Sequence, residues 1–151
     1  MSSEFYMIVR STHSLQYYPD NKGEDFRIHL KKTLSLKGKW VVSLSNIEYR
    51  IQQSAAFKTH NYWVHLNICQ NSIVGDTSLP LLRRVPFPMS GEVDVLIQQE
   101  FLQEHFIPVL HNETDLIHIY IFGDYDQRID IHPYEVMCTL HFKQIAPPWL
   151  T

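Results

Sequence analysis

Nine histidines in 151 residues are the first candidates for chemistry, and their positions, 13, 29, 60, 65, 105, 111, 118, 132 and 141, decide what they can do. Zinc ligands on a helix stand four residues apart with a carboxylate between them, and structural zinc sites add closely spaced cysteine pairs. No histidine pair here has that spacing with a carboxylate, and the two cysteines, Cys69 and Cys138, are far apart in sequence. No metal site is expected. Clustered histidines still gain charge near pH 6, which leaves pH sensitivity as their residual chemistry.

Other chemistries fare no better. There is no GxSxG elbow, and neither cysteine sits in a glycine-rich or helix-start setting that would activate a thiolate. Both cysteines fall in strand-like runs, as expected of buried thiols in a reducing compartment. Five glycines cannot build a phosphate-binding loop. Carboxylates gather at Asp20, Glu24 and Asp25 and again at Asp124 and Asp126, where acidic residues are ordinary turn chemistry. The sequence implies neither an enzyme nor a cofactor.

Composition narrows the partners. A net charge of −3, a pI near 6.3 and no run of Lys or Arg longer than two residues disfavour direct nucleic-acid binding. No stretch approaches ~18 consecutive apolar residues, so no membrane-spanning helix is expected. The start MSSEFYMIVR lacks the basic and long apolar regions of a signal peptide, which argues against secretion. With 44% hydrophobic residues, the chain can bury the core of one domain, 1–151.

The elements available to position these residues are strands. Apolar residues alternate with polar ones at Phe26/Ile28/Leu30, Trp40/Val42/Leu44, Val64/Leu66/Ile68, Val93/Val95/Ile97, Ile117/Ile119/Ile121 and Val136/Cys138/Leu140/Phe142. The alternation places His29, His65, His118 and His141 on the polar phase, toward solvent or a partner. After Leu44 the phase reverses at Ile47, Tyr49 and Ile51, which predicts a bulge near Ser45-Asn46 or a strand crossing between sheets. A short helical turn competes at Ile97–Phe106. With turn residues between the runs, eight or nine strands read as an antiparallel sandwich or barrel.

The corner YYPDNKG, Tyr17 to Gly23, is the most rigid turn in prospect. Proline presets one dihedral, Asp20 and Asn21 can bond the local backbone, and Gly23 tolerates positive φ. Aromatic residues are otherwise more numerous than one core needs, and Tyr17, Tyr18, Phe87 and the tail Pro147-Pro148-Trp149 are candidates for protein contacts. The tail, 145–151, is Pro-rich and cannot extend a sheet, but its preset shape costs little entropy on docking.

Three blocks, in order, resemble the minor capsid, or penton, proteins of Maverick/Polinton transposons and adintovirus-like viruses. The first, Phe5 to Tyr49, carries the corner at Tyr18, Pro19 and Asn21, then an L-x-G-x-W-x-V-x-L pattern at Leu36, Gly38, Trp40, Val42 and Leu44. The second, IVGDTSLPLLRRVP, holds Gly75, Asp76, Leu81 and Leu82. The third, Ile117 to Phe142, ends in a strand with His141 and Phe142. The segment between Tyr49 and Trp63 is short where many members carry a longer insertion, which argues against a protruding receptor-binding subdomain or marks a domesticated or specialised form.

The resemblance implies an all-β fold, a single jelly-roll antiparallel β-sandwich, assembling as a homopentamer at icosahedral vertices beside the element's major capsid protein. The product would sit in the virion, having been made in host cytoplasm or nucleus. The length excludes the double jelly roll of a major capsid protein. The competing reading is a virus-derived jelly-roll module that binds a receptor or glycan without assembling.

Overall fold

The computed structural model describes residues 3–50, 61–86, 96–124 and 135–150. Eight principal strands form two antiparallel sheets. Sheet A has the order β1 (Glu4–Arg10), β11 (Met137–Ala146), β3 (Lys39–Arg50), β8 (Leu96–Glu100), with the short β9 (Ile107–Pro108) also paired to β3. Sheet B has the order β2 (Asp25–Ser35), β10 (Glu113–Phe122), β4 (Asn61–Leu66), β7 (Leu81–Pro86). A two-stranded hairpin, β5 (Ser72–Val74) and β6 (Thr77–Leu79), stands apart from both.

The pairings are nested. The first principal strand pairs with the last (β1 with β11), the second with the second-last (β2 with β10), the third with the third-last (β3 with β8), and the innermost two with each other (β4 with β7). One long antiparallel hairpin is thereby rolled up, and β11–β3 and β10–β4 close the roll. This is the jelly roll expected from the resemblance.

Alternation builds the core as the sequence predicts. Phe26, Val42, Leu44, Val64, Leu66, Ile117, Ile119, Cys138, Leu140 and Phe142 are all fully buried between the sheets. The phase change after Leu44 is a bulge: Leu140 pairs with Leu44 and Thr139 with Asn46, so Ser45 is the extra residue. The bulge lets Ile47 and Tyr49 face the core on the new phase, where Tyr49 meets Tyr62 edge-on at 5.3 Å.

Two expectations change. No helical turn forms in 97–106: residues 96–100 pair with β3 along the sheet edge, because Ile97 and Gln99 alternate inward and Gln99 accepts a hydrogen bond from the Tyr49 hydroxyl (3.0 Å). The described glycines in left-handed backbone are Gly38 (φ 90°) and Gly75 (φ 65°), so the corner takes its rigidity from Asn21 and not from Gly23. Ile51, Phe87, Val93 and Val95 lie outside the described residues.

Four core groups make the fold sensitive to alkali. Burial pushes the Cys69 and Cys138 thiols up to about 12, and both are free and buried. Burial likewise raises the Tyr49 and Tyr62 hydroxyls above their ordinary value, Tyr62 further through the neighbouring Tyr49. Below about pH 7.5 all four groups are neutral whether the chain is folded or not, because free thiols begin to ionise near pH 8 and free tyrosines near pH 9. Above that, only the unfolded chain releases the protons, so stability falls, by up to about 1.4 kcal/mol per pH unit for each group. Urea unfolding midpoints should begin to fall between pH 8 and 9 and drop steeply from pH 9 to 12, and Cys138→Ala should make the drop shallower. A flat profile through pH 11 would contradict this.

Candidate assembly surfaces

The antiparallel order fixes the two ends of the sandwich. The corner after β1 meets the start of β11, where the Ser11 amide donates to the Val136 carbonyl (2.9 Å) and the Val136 amide to the Ser11 hydroxyl (3.1 Å). Since β11 runs opposite to β1, its far end and the tail lie at the other end, where the Gln144 amide reaches the Ser3 carbonyl (2.9 Å).

At the first end, Asn21 and two serines hold the corner. Asn21 Nδ2 donates to the Arg27 carbonyl (2.8 Å) and its Oδ1 accepts from the Arg27 amide (2.9 Å), so the amide acts as a one-residue neighbour to edge strand β2. The Ser14 carbonyl accepts from the Tyr17 and Tyr18 amides, and its hydroxyl accepts from the His29 amide (2.9 Å). The Tyr17 ring lies 4.3 Å from the His29 ring and remains 51% exposed, whereas Tyr18 is half-buried. With Pro19, Arg27 and Tyr120 they line a cleft of about 440 Å³.

The opposite end shows why the L-x-G-x-W pattern is there. A β-carbon on Gly38 would come closer to the Ala146 carbonyl oxygen than any real contact allows, and its φ of 90° is one that other residues avoid. The Lys37 carbonyl accepts from Trp40 Nε1 (2.8 Å) and from Gln144 Nε2 (2.9 Å). Trp40 and Phe142 both pack on Phe5, Phe142 in a stack at 4.9 Å. These contacts fix the root of the tail, beyond which Pro147 is half-buried and Trp149 is 81% exposed in a 3-10 turn, Pro148–Leu150. The second block also resolves: Val74 pairs with Thr77 around a two-residue Gly75-Asp76 turn, Leu81 is half-buried and Leu82 is buried.

The histidines expected on the outside divide. All four point away from the core, yet His65 and His141 are buried and His29 and His118 half-buried. His141 is covered on the outer face of sheet A by Tyr6, stacked at 4.4 Å, and by Phe106, edge-on at 5.4 Å. Its two ring nitrogens meet Glu104 (2.9 Å) and Glu4 (3.3 Å), which ties edge strand β1 to the connection after β8. His118 Nε2 meets Asp25 at 2.7 Å across sheet B. Alternation reports which face a residue takes, not whether a loop covers that face. No group of metal-ligating side chains comes together among the described residues.

The structure therefore separates the expected contact residues. Tyr17 and Tyr18 stand at one end and Pro147, Pro148 and Trp149 at the other, while Phe87 lies outside the described residues. Sequence reasoning missed Tyr6 and Ile8, 58% and 57% exposed on edge strand β1. An apolar phase on a strand marks the core only where a second sheet covers it, and in β1 the inward residues are Phe5, Met7 and Val9.

No family model matches the sequence. The search of curated proteins likewise finds no match. Among solved structures, the fold is similar to the crystal structure of the mavirus penton protein, with a TM-score of 0.69 over 95% of this chain and 100% of that one, at 5% sequence identity. At that identity the likeness establishes the fold.

Replacing Gly38 by Ala should lower stability by roughly 2 kcal/mol or more, from backbone strain and the contact with the tail root. At Gly75, where a β-carbon would meet nothing within 4 Å, the same change should cost about 1 kcal/mol. Thermal melts of the two variants check the ranking, and equal losses would contradict it.

Proposed function

We propose that this chain is a penton-like minor capsid protein: a single jelly-roll domain over residues 1–151 that assembles as a homopentamer at the vertices of an icosahedral capsid. The observation that carries this reading is the extent of the structural likeness. A complete penton chain superposes on nearly all of this one, with no large element of either left over. The blocks containing Tyr18, Pro19 and Asn21, Gly38 and Trp40, Gly75 and Asp76, Leu81 and Leu82, and His141 and Phe142 support the narrower assignment to a Maverick/Polinton-like element. The partner would be the major capsid protein of that element and the location the virion.

Closing a ring requires one flank of the sandwich to fit a different flank of the neighbour. The corner and the tail stand at opposite ends of the sandwich, so the two can meet different surfaces of neighbouring subunits. Tyr17 and Tyr18 supply rigid aromatic contact at one end. The tail, with Trp149 and Leu150 exposed from a root clamped by Gly38, supplies an arm at the other, toward a neighbouring subunit or the major capsid protein. The work is surface complementarity, and no catalytic role is assigned.

Light scattering on the purified protein should give the mass of five 17.9 kDa chains. Tyr17→Ser with Tyr18→Ser should weaken the pentamer by at least tenfold in dissociation constant while leaving the melting temperature within a few degrees. Removing 145–151 should abolish association with a neighbouring subunit or the major capsid protein. A monomer that binds glycans would favour the binding module instead.

A further inference from the structure

The β5–β6 hairpin overhangs the outer face of sheet B and borders an open cleft of about 570 Å³, lined by Asn61, Trp63, His65, Asp76, Phe122 and Asp124, with Val74, Gly75 and Leu79 on the hairpin side. Its size is that of a small-ligand or peptide site. We propose that it binds a guanidinium group, the arginine side chain of a segment presented by a partner protein. The site belongs to neither the corner nor the tail, and the inference holds whether or not the chain forms a vertex.

The floor is aromatic and preset. Trp63 and Phe122 are register partners on β4 and β10, and Trp63 Nε1 donates to Asp124 Oδ1 at 2.9 Å, which locks the indole plane. His65 meets Phe122 edge-on at 5.7 Å and stacks on Tyr120 at 4.5 Å with the rings 4° from parallel. The opposite wall gives access, because Gly75 has no side chain and its vicinity is open.

The polar groups select the ligand. Asp76 is exposed at the hairpin tip and accepts only a neutral hydroxyl bond from Thr77 (3.0 Å), so its negative charge stands at the mouth. Asp124 and Asn61 lie across from it, and among the described residues no Lys or Arg lines the cleft. A matching ligand is flat, cationic and rich in donors. Guanidinium meets all three requirements, with five N–H donors in a plane that stacks on aromatic rings. An ammonium lacks the plane, a neutral sugar lacks the charge that Asp76 would meet, and an anion is repelled. The fold already uses this chemistry where the Arg83 guanidinium carbon sits 3.9 Å above the Phe101 ring.

The test uses the full chain labelled with nitrogen-15 and four probes: a capped Gly-Arg-Gly tripeptide, its lysine and citrulline counterparts, and methyl glucoside. The arginine peptide should shift the Trp63 indole N–H signal saturably, and the citrulline and lysine peptides should bind at least tenfold more weakly. Asp76→Lys, a change at an exposed position, should weaken the arginine peptide at least tenfold with the rest of the spectrum unmoved. Trp63→Leu, followed through the backbone amide signals of Gly75 and Asp76, should remove binding. No saturable shift with the arginine peptide would overturn the proposal. So would equal binding by citrulline or glucoside, or binding indifferent to Asp76→Lys, and a response to glucoside alone would mark a glycan site.

Discussion

Everything in this fold depends on β11 lying between β1 and β3. The last described strand pairs over Met137–Lys143 with the first on one side and over Met137–Ala146 with the third on the other. Its inward residues Cys138, Leu140 and Phe142 are fully buried, and truncating a buried phenylalanine or leucine of this kind costs about 2–5 kcal/mol. Without β11, β1 has no strand partner and sheet A is reduced to β3 with β8 and the short β9. The loop-closure cost of such long-range pairing comes before its reward, so sheet A cannot be completed until the C-terminal strand is in place.

The same pairing divides the molecule into two ends with different work. One end carries the corner, held to the start of β11 by Ser11 and to edge strand β2 by Asn21. The other carries the tail, whose root is pressed against Gly38 and tied to the Lys37 carbonyl. The sheet faces are not bare either. The connection after β8 covers His141 on sheet A, and the β5–β6 hairpin overhangs Trp63 and His65 on sheet B. A jelly roll built this way offers several rigid surfaces that its core does not need, which is what an assembly protein requires.

Much of this was legible in the sequence because a half-buried strand writes its own period. Phe26/Ile28, Val64/Leu66 and Ile117/Ile119 point inward as the alternation predicts, and the phase slip at Ser45 appears as a bulge at that residue. The jelly-roll order itself came from the family resemblance and not from periodicity, since alternation does not say which strands pair. Ile97–Phe106 misled because Ile97, Phe101 and His105 have helical spacing, while the decisive fact, an open edge on β3, is tertiary. His65 and His141 misled for a related reason: a polar phase was covered by segments distant in sequence. Gly38 was recognised as part of a motif, but its reason, a carbonyl from Ala146 more than a hundred positions later, exists only in three dimensions.

Electron microscopy of the purified full-length protein tests the central claim most directly. Class averages should show rings with fivefold symmetry, each about the size of five jelly rolls packed flank to flank, with the Tyr17 corners on one side of the ring and the Trp149 tails on the other. Isolated single sandwiches at micromolar concentration, or rings of any other symmetry, would contradict the account.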